Sequence, residues 1–161
     1  MRKILVVSDT HGDNSGLKKV VEKEKPFDLL VHCGDLECSE GNIIAIADTP
    51  VYAVAGNNDY FYDLPNRAVF EYSGHRVLVS HGHYDKVHSG LDTLFYRAKE
   101  ASADIVMFGH THVPCLKEID GVTFINPGSL TYPRQIGRIP SYMTIDIDDI
   151  GIISVNQRFL E

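Results

Sequence analysis

The sequence has no tryptophan and only three cysteines among its 161 residues. Cys33, Cys38 and Cys115 are odd in number and form no C-x-x-C pair, which argues against a disulfide framework or a structural zinc knuckle. We interpret them as small buried side chains, the alternative being a redox-active or metal-binding thiol. No apolar run approaches the roughly 20 residues of a membrane helix, and the first residues lack the pattern of a signal peptide. We therefore expect a cytoplasmic protein without a membrane partner.

Positive charge is scarce as well. The chain carries 15 Lys and Arg against 22 Asp and Glu, a formal net charge of −7. Such a balance lacks the electrostatic footprint of a general nucleic-acid binder, although it is compatible with a cyclic nucleotide or a short oligonucleotide. The length and the 43% hydrophobic content predict one ordinary globular domain over residues 1–161. A homo-oligomer stays possible.

Hydrophobic patterning predicts a mixed α/β fold. In the first third, predicted strands at 3–8, 28–33 and 51–55 alternate with helices at 14–25 and 43–47. Asn14 is the expected N-cap of the first helix, and Pro26 is expected to end it. This order favours parallel strands with helices on the sheet faces. Farther along, the pattern predicts hairpins over 68–80 and 115–125, a helix over 91–101, a strand over 104–108 and a strand pair over 142–157. The long Pro- and Gly-rich stretch 127–140 is expected to be a functional loop.

Polar side chains of ligand type follow the predicted strands, at the end where open α/β sheets place their sites. The potential ligands are Asp9, His11, Asp35, Asn57, His81, His110 and His112. Imidazole combined with carboxylate suits manganese, nickel, zinc, iron or cobalt better than an all-oxygen calcium or magnesium cage. Because one catalytic ion needs about three protein ligands, this number predicts two divalent ions bridged by Asp35. Each short motif alone is also typical of an ordinary polar turn, so the prediction depends on the whole ordered set.

That ordered set resembles the motifs of the calcineurin-like metallophosphoesterases. The matching segments are Asp9-Thr10-His11, Gly34-Asp35, Gly56-Asn57-Asn58-Asp59, His81-Gly82 and Gly109-His110-Thr111-His112. The small size, the His81-Gly82-His83 form and the Asn126-Pro127-Gly128-Ser129 run are similar to the compact YfcE-type phosphodiesterase branch. The resemblance implies an α/β fold, a four-layer α/β/β/α sandwich with two mixed β-sheets.

The resemblance also implies how two ions would be held. One ion would be bound by Asp9, His11, Asp35 and His112, and the other by Asp35, Asn57, His81 and His110. Manganese or nickel is the favoured metal, with zinc, iron and cobalt as alternatives. The implied activity is hydrolysis of small phosphodiesters by in-line attack of a metal-bridging hydroxide. The alternative is a non-catalytic, partner-binding scaffold of the same fold, as in a retromer subunit that lacks part of the ligand set. The full ligand set of this chain favours catalysis.

Four further residues are candidates for catalysis or substrate contact. Many relatives have a histidine at the position of Asn58, where it helps to protonate the leaving group, and an asparagine cannot do so. We expect Asn58 to contact substrate, and Asp59 to orient Asn58 or a ligating histidine. His83 is predicted to donate a proton or bind phosphate, the alternative being a hydrogen-bonded turn residue. Arg134 is predicted to bind a phosphate oxygen, the alternative being a surface salt bridge.

Overall fold

The computed structural model describes residues 1–160 and contains two five-stranded sheets. The strands are β1 (Arg2–Val7), β2 (Leu29–His32), β3 (Val51–Ala53), β4 (Arg67–Tyr72), β5 (His75–Ser80), β6 (Ile105–Met107), β7 (Cys115–Ile119), β8 (Val122–Asn126), β9 (Ser141–Ile147) and β10 (Ile153–Phe159). The helices are α1 (Ser15–Glu24), α2 (Glu40–Ala47) and α3 (Asp92–Ala101), and short 3₁₀ turns lie at His83–Asp85 and Val87–Ser89. No helix within residues 1–160 combines the length and the apolar character needed to cross a membrane.

Both sheets mix parallel and antiparallel strands. The first has the order β10-β9-β1-β2-β3, in which β1, β2 and β3 are parallel and β9 is antiparallel to both of its neighbours, β1 and β10. The second has the order β4-β5-β6-β8-β7, in which β5, β6 and β8 are parallel and the two edge strands are antiparallel to their neighbours. The parallel first half and the hairpins that the sequence predicts are therefore confirmed.

Alternating side chains of the central strands build the layers. On β1, Ile4 and Val6 point into the apolar layer between the sheets, while Leu5 and Val7 pack against α1 and α2. On the other side of the second sheet, Leu94 of α3 packs against the outer face of β5 and β6. These three apolar layers make the four-layer α/β/β/α sandwich that the resemblance implies. They also bring the carboxyl ends of the central parallel strands to one edge of the molecule.

The capping bond of α1 and the start of α2 differ from the sequence prediction. Asn14 lies at the predicted N-cap position of α1, but its side chain makes no capping bond, and its Nδ2 lies 3.7 Å from Cys38 Sγ. The Asp13 carboxylate accepts the Ser15 N–H instead, at 3.1 Å, because an Asx turn competes with capping at this point. Helix α2 begins at Glu40, three residues earlier than predicted, since Ser39 Oγ accepts the N–H of Asn42 and caps a polar first turn that hydrophobic periodicity does not detect.

A histidine joins the two sheets at the edge opposite the parallel strand ends. His75, at the start of β5, places Nδ1 2.6 Å from Asp104 Oδ2, and its Nε2 contacts the carbonyl oxygen of Gly151. Because both ring nitrogens face acceptors, the contacts favour the doubly protonated imidazolium. Burial acts to lower the pKa of His75, but the Gly151 carbonyl and the Asp104 carboxylate outweigh it and raise that pKa.

Candidate metal centre

Polar side chains from both sheets meet where β1, β2, β5 and β6 end. Asp9 and His11 follow β1, Asp35 follows β2, His81 follows β5, and His110 and His112 follow β6. His112 Nε2 lies 3.1 Å from Asp9 Oδ1, although the two residues are more than a hundred positions apart in the chain. His81 Nε2 lies 3.3 Å from Asp35 Oδ2. The structure thus brings together six of the seven residues that the sequence predicts as ligands.

Two overlapping groups have ligand atoms close enough to share an ion. Asp9, His11 and His112 form one group, and Asp9, Asp35 and His81 form the other, with the ligand atoms of each group within 4.8 Å of one another. Asp9 is common to both groups. Asp35 Oδ2 also lies 3.8 Å from His11 Nε2, so both carboxylates lie between the two imidazole sets. Asp35 as the bridge between two ions stays a prediction, and Asp9 is the carboxylate that the two groups share.

Three imidazoles are held in the tautomer that binds metal. The Nδ1 atoms of His11, His81 and His112 each face an oxygen outside the centre: Glu37 Oε2 at 2.8 Å, the Cys33 carbonyl at 2.8 Å and the Tyr132 carbonyl at 2.7 Å. An oxygen at this distance accepts a hydrogen bond from Nδ1–H. In the neutral ring the proton then stays on Nδ1, and the Nε2 lone pair is directed into the centre. The outer contacts thus orient all three rings as ligands.

Asp9 carries a buried oxygen that the chain itself does not satisfy. Its Oδ2 accepts the Ser8 hydroxyl and, at 3.1 Å, the N–H of His110, whereas Oδ1 has no hydrogen-bond partner within residues 1–160. The Nε2 atom of His112 does not supply one, because the proton of that ring is donated from Nδ1 to Tyr132. Burying a carboxylate oxygen without a partner costs free energy, because the charge loses its hydration, unless a cation compensates it; Asp9 is fully buried. The donor set at Asp9 therefore fits a divalent cation.

The ionisation of the centre also favours bound positive charge. Burial alone would raise the pKa of Asp9 and of Asp35. The nearby His112 and His81 rings and the Ser8 hydroxyl hold the pKa of Asp9 below its ordinary range, and the His81 ring and the Asn58 hydrogen bonds do the same for Asp35. Both carboxylates are therefore charged at neutral pH. Burial disfavours charge on His81, yet the two carboxylates raise its pKa, which means that they attract a positive charge to the Nε2 position. A metal ion would replace that proton.

The remaining predicted ligands lie at the side of the centre. His110 Nδ1 is 3.2 Å from His81 Nε2, and burial together with the nearby His81 and His88 rings lowers the pKa of His110 to about 4, so the ring is neutral. Asn57 occupies the adjacent turn with an exposed side chain. Asn58 is the asparagine that contacts Asp35, through its amide Nδ2 at 3.1 Å and its backbone N–H at 2.9 Å. Asn57 as a ligand stays a prediction.

Asp59 has a different role from the predicted one. Its buried carboxylate accepts the backbone N–H groups of Leu36, Glu37 and Gly56 at 3.2, 2.8 and 2.8 Å. These bonds fasten the turn after β3 to the loop that carries Asp35. The prediction that Asp59 orients Asn58 or a histidine is not supported by these contacts, because backbone donors occupy both carboxylate oxygens. Asp59 is thus a positioning residue.

His83 and Arg134 lie near the centre without contacting its carboxylates. The His83 ring is half-buried, with its centroid 5.3 Å from that of His81, and its buried Nδ1 has no hydrogen-bond partner within residues 1–160. Arg134 is exposed, and its backbone N–H donates to the His112 carbonyl at 3.0 Å. Its guanidinium takes part in no ion pair in the described part of the chain, so the salt-bridge alternative finds no support.

Several positioning groups escaped the sequence analysis. Glu37 and the Tyr132 carbonyl orient two imidazoles, and Ser129 Oγ donates to the carbonyl of Asp9 while accepting the N–H groups of Thr131 and Tyr132. These bonds fasten the 127–140 loop to the end of β1, and they engage the Ser129 hydroxyl both as a donor and as an acceptor. Glu37 was detectable only as an acidic residue two positions after Asp35, and the carbonyl groups leave no signal in a sequence.

Two motif glycines are required by close approach rather than by backbone freedom. A Cβ on Gly56 would lie 2.1 Å from Asp35 Oδ1, and a Cβ on Gly109 would lie 2.1 Å from Ser8 Oγ and 2.6 Å from Asp9 Oδ2. Any other residue would push the carboxylates away from their positions. Gly56 and Gly109, the first residues of their motifs, therefore allow the two carboxylates to occupy their positions.

Comparison with known proteins identifies the family of the chain. The model of the calcineurin-like phosphoesterase superfamily domain matches residues 2–150. The chain is 33% identical to the probable metallophosphoesterase YsnB of Bacillus subtilis strain 168, over 91% of this chain and 85% of that protein. It is 26% identical to the phosphodiesterase YfcE of Escherichia coli K12, over 98% and 95%. A solved structure from Streptococcus pneumoniae TIGR4, described as a predicted phosphoesterase, superposes with a TM-score of 0.82 at 28% identity and covers 98% of both chains.

Proposed function

The chain belongs to the calcineurin-like phosphoesterase superfamily, and on that premise we propose that it is a phosphodiesterase with a two-metal centre. The observation that carries the proposal is the pair of ligand groups that share the buried carboxylate of Asp9. Asp9, His11, Asp35 and His112 would hold one ion, and Asp35, Asn57, His81 and His110 would hold the other, with Asp9 close enough to the second group to serve both ions. The metal would be manganese or nickel, two of the divalent first-row ions that suit mixed imidazole and carboxylate ligands.

When bound, two divalent ions supply the positive charge that an anionic ester requires and make a water molecule nucleophilic at neutral pH. The chain supplies the geometry for this chemistry. Glu37, the Cys33 carbonyl and the Tyr132 carbonyl fix the imidazole rings, and Asp59 fixes the loop that carries Asp35. Because Asp9 and Asp35 offset only part of the ionic charge, an excess of positive charge is left for a phosphate ester.

A diester suits this site better than a monoester. No lysine or arginine side chain forms an ion pair with Asp9 or Asp35 within residues 1–160, so a dianionic monoester would find less compensation at the reacting phosphate than a monoanionic diester. The amide of Asn58, which is bonded to Asp35, provides no acid for the leaving group. We therefore expect esters whose leaving groups need little protonation. Asn58 and His83 are the side chains we propose for contact with the scissile phosphate.

The test compares one diester with its monoester. The protein is stripped of metal, refilled with Mn²⁺ or Ni²⁺, and assayed with bis(p-nitrophenyl) phosphate and with p-nitrophenyl phosphate. We expect two ions per chain by elemental analysis, faster turnover of the diester, and a loss of at least about a hundredfold in Asp35→Asn and His81→Ala. Asp63→Asn, an exposed acidic residue in the segment after β3, is the matched control and should behave as wild type.

Each failure has a separate meaning. Preference for the monoester would overturn the diesterase proposal while leaving a phosphoesterase. Absence of two bound ions, or equal turnover in wild type and Asp35→Asn, would overturn the two-metal mechanism and favour the scaffold alternative.

A further inference from the structure

A depression adjoins the proposed metal centre on the side of the 127–140 loop. Its volume is about 550 Å³, and its lining consists of His11, His112, Thr131, Tyr132, Pro133, Arg134 and Arg138. The Tyr132 ring is 56% exposed and stands edge-on to the His11 ring, with 5.4 Å between their centroids. Since the first two lining residues are proposed metal ligands, a molecule bound at the centre can extend directly into this space. The volume is in the range of ligand pockets and can hold a phosphate with its adjoining sugar.

The depression is lined by two arginines, although the chain as a whole is acidic. The sequence contains seven arginines, and five of them lie within 4.0 Å of a carboxylate in the structure. These five are Arg2, Arg67, Arg76, Arg97 and Arg158. The two that form no ion pair within residues 1–160 are Arg134 and Arg138, and both line the depression. The arginines that the fold leaves without a counter-ion are therefore collected beside the centre.

The backbone of both arginines is held in place relative to the proposed ligands. The N–H of Arg134 donates to the His112 carbonyl at 3.0 Å, and the N–H of Arg138 donates to the Gln135 carbonyl at 2.9 Å. The Gln135 side chain in turn donates to the Ile139 carbonyl at 2.6 Å, which closes the turn around Arg138. The Ser129 hydroxyl also fastens the start of this loop to the carbonyl of Asp9, so the loop that carries both arginines is attached to the centre.

We propose that the depression binds a second anionic group of the substrate, so that the preferred substrates are phosphodiesters carrying a further phosphate near the scissile one. The inference rests on the proposed phosphodiesterase function and names its substrate class. A guanidinium pair suits a phosphate because each planar fork donates two parallel N–H groups to its oxygens. The arginines are exposed and lie beside the ligand groups rather than among them. They therefore serve a group remote from the reacting phosphorus.

The first test measures binding without turnover. Metal-stripped protein is titrated calorimetrically with the dinucleotide TpT and with pTpT, which adds a 5′-phosphate. We expect pTpT to bind about tenfold more tightly at low salt, with the difference shrinking at high ionic strength. In the double variant Arg134→Gln/Arg138→Gln the two dinucleotides should bind equally. Arg2→Gln, which removes an exposed arginine on β1, is the matched control and should keep the preference.

The second test uses the Mn²⁺-loaded enzyme and the ratio of kcat/KM for pTpT over TpT. This ratio should be about ten in wild type and in Arg2→Gln and about one in the double variant. The double variant should lose the preference because its KM for pTpT rises while its kcat stays unchanged. Equal binding of the two dinucleotides by wild type, or a preference that survives in the double variant, would overturn the inference. Failure of the phosphodiesterase proposal would look different, because pTpT would still bind the stripped protein more tightly while neither dinucleotide was cleaved.

Discussion

Asp59 offers a quantitative test of how the centre is held together. Replacement by asparagine keeps one oxygen, which can still accept the two N–H groups that now share Oδ2, while its amide NH₂ faces the N–H of Glu37. An unsatisfied buried donor costs about 1–3 kcal/mol, and each bond that loses its charged acceptor weakens by roughly 0.5 kcal/mol or more. We therefore expect Asp59→Asn to lower the free energy of unfolding by about 3 kcal/mol, or the Tm by about 6–12 °C.

The assay is urea unfolding of the metal-stripped protein, followed by circular dichroism. Asp63→Asn is the control, and as an exposed substitution in the segment after β3 it should stay within about 0.5 kcal/mol of wild type. Asp59→Asn should also bind Mn²⁺ more weakly, because the loop that carries Asp35 loses its attachment, and saturating Mn²⁺ should restore most of the activity. A stability loss below about 1 kcal/mol together with unchanged Mn²⁺ affinity would refute the positioning role. Loss of turnover that saturating Mn²⁺ does not restore would instead return Asp59 to the catalytic residues.

Three further predictions test separate contacts. Glu37→Ala should weaken Mn²⁺ binding by about 10–100-fold in calorimetric titrations, and Glu37→Gln by less because its amide oxygen still accepts from His11; equal affinity in all three proteins would contradict this. Gly109→Ala should abolish stoichiometric metal binding by displacing the Asp9 carboxylate, and a crystal structure of the variant with both carboxylate oxygens in place would show the reasoning to be wrong. The pKa of His75 is raised on folding, so its contribution is complete below about pH 6.5 and is lost as the pH rises through the folded pKa. The stability difference between wild type and His75→Gln should therefore shrink from pH 6 toward alkaline pH in urea titrations, and a difference that grows would reverse the sign of this linkage.

The sequence predicts the sandwich well because its signals are local and repeated. Buried β-branched runs, Gly-containing turns such as Ser73-Gly74 and the helical spacing of α3 each predict their elements, and the four-layer fold follows from the family resemblance. The capping bond predicted for the Asn14 side chain is absent because the neighbouring Asp13 carboxylate accepts the Ser15 N–H, and residue type alone does not show which of two adjacent side chains makes this bond.

The candidate site is predictable only in its protonatable and coordinating side chains. Strand-terminal Asp and His residues could be read directly from the sequence, and the structure brings them together. The groups that orient them are carbonyls, a serine and an acidic residue two positions after a ligand, none of which has a pattern of its own. The contacts of Asp59 could not be predicted for the same reason, since its partners are backbone N–H groups that every residue type except proline possesses.

The proposed ligands come from both halves of the sandwich. Asp9 and Asp35 extend from the first sheet, whereas His81 and His112 extend from the second. A cation held between them would link the two sheets at this edge. By mass action, the free energy of unfolding would then rise with the concentration of divalent cations. The bound ions would therefore stabilise the fold in addition to any part they have in catalysis.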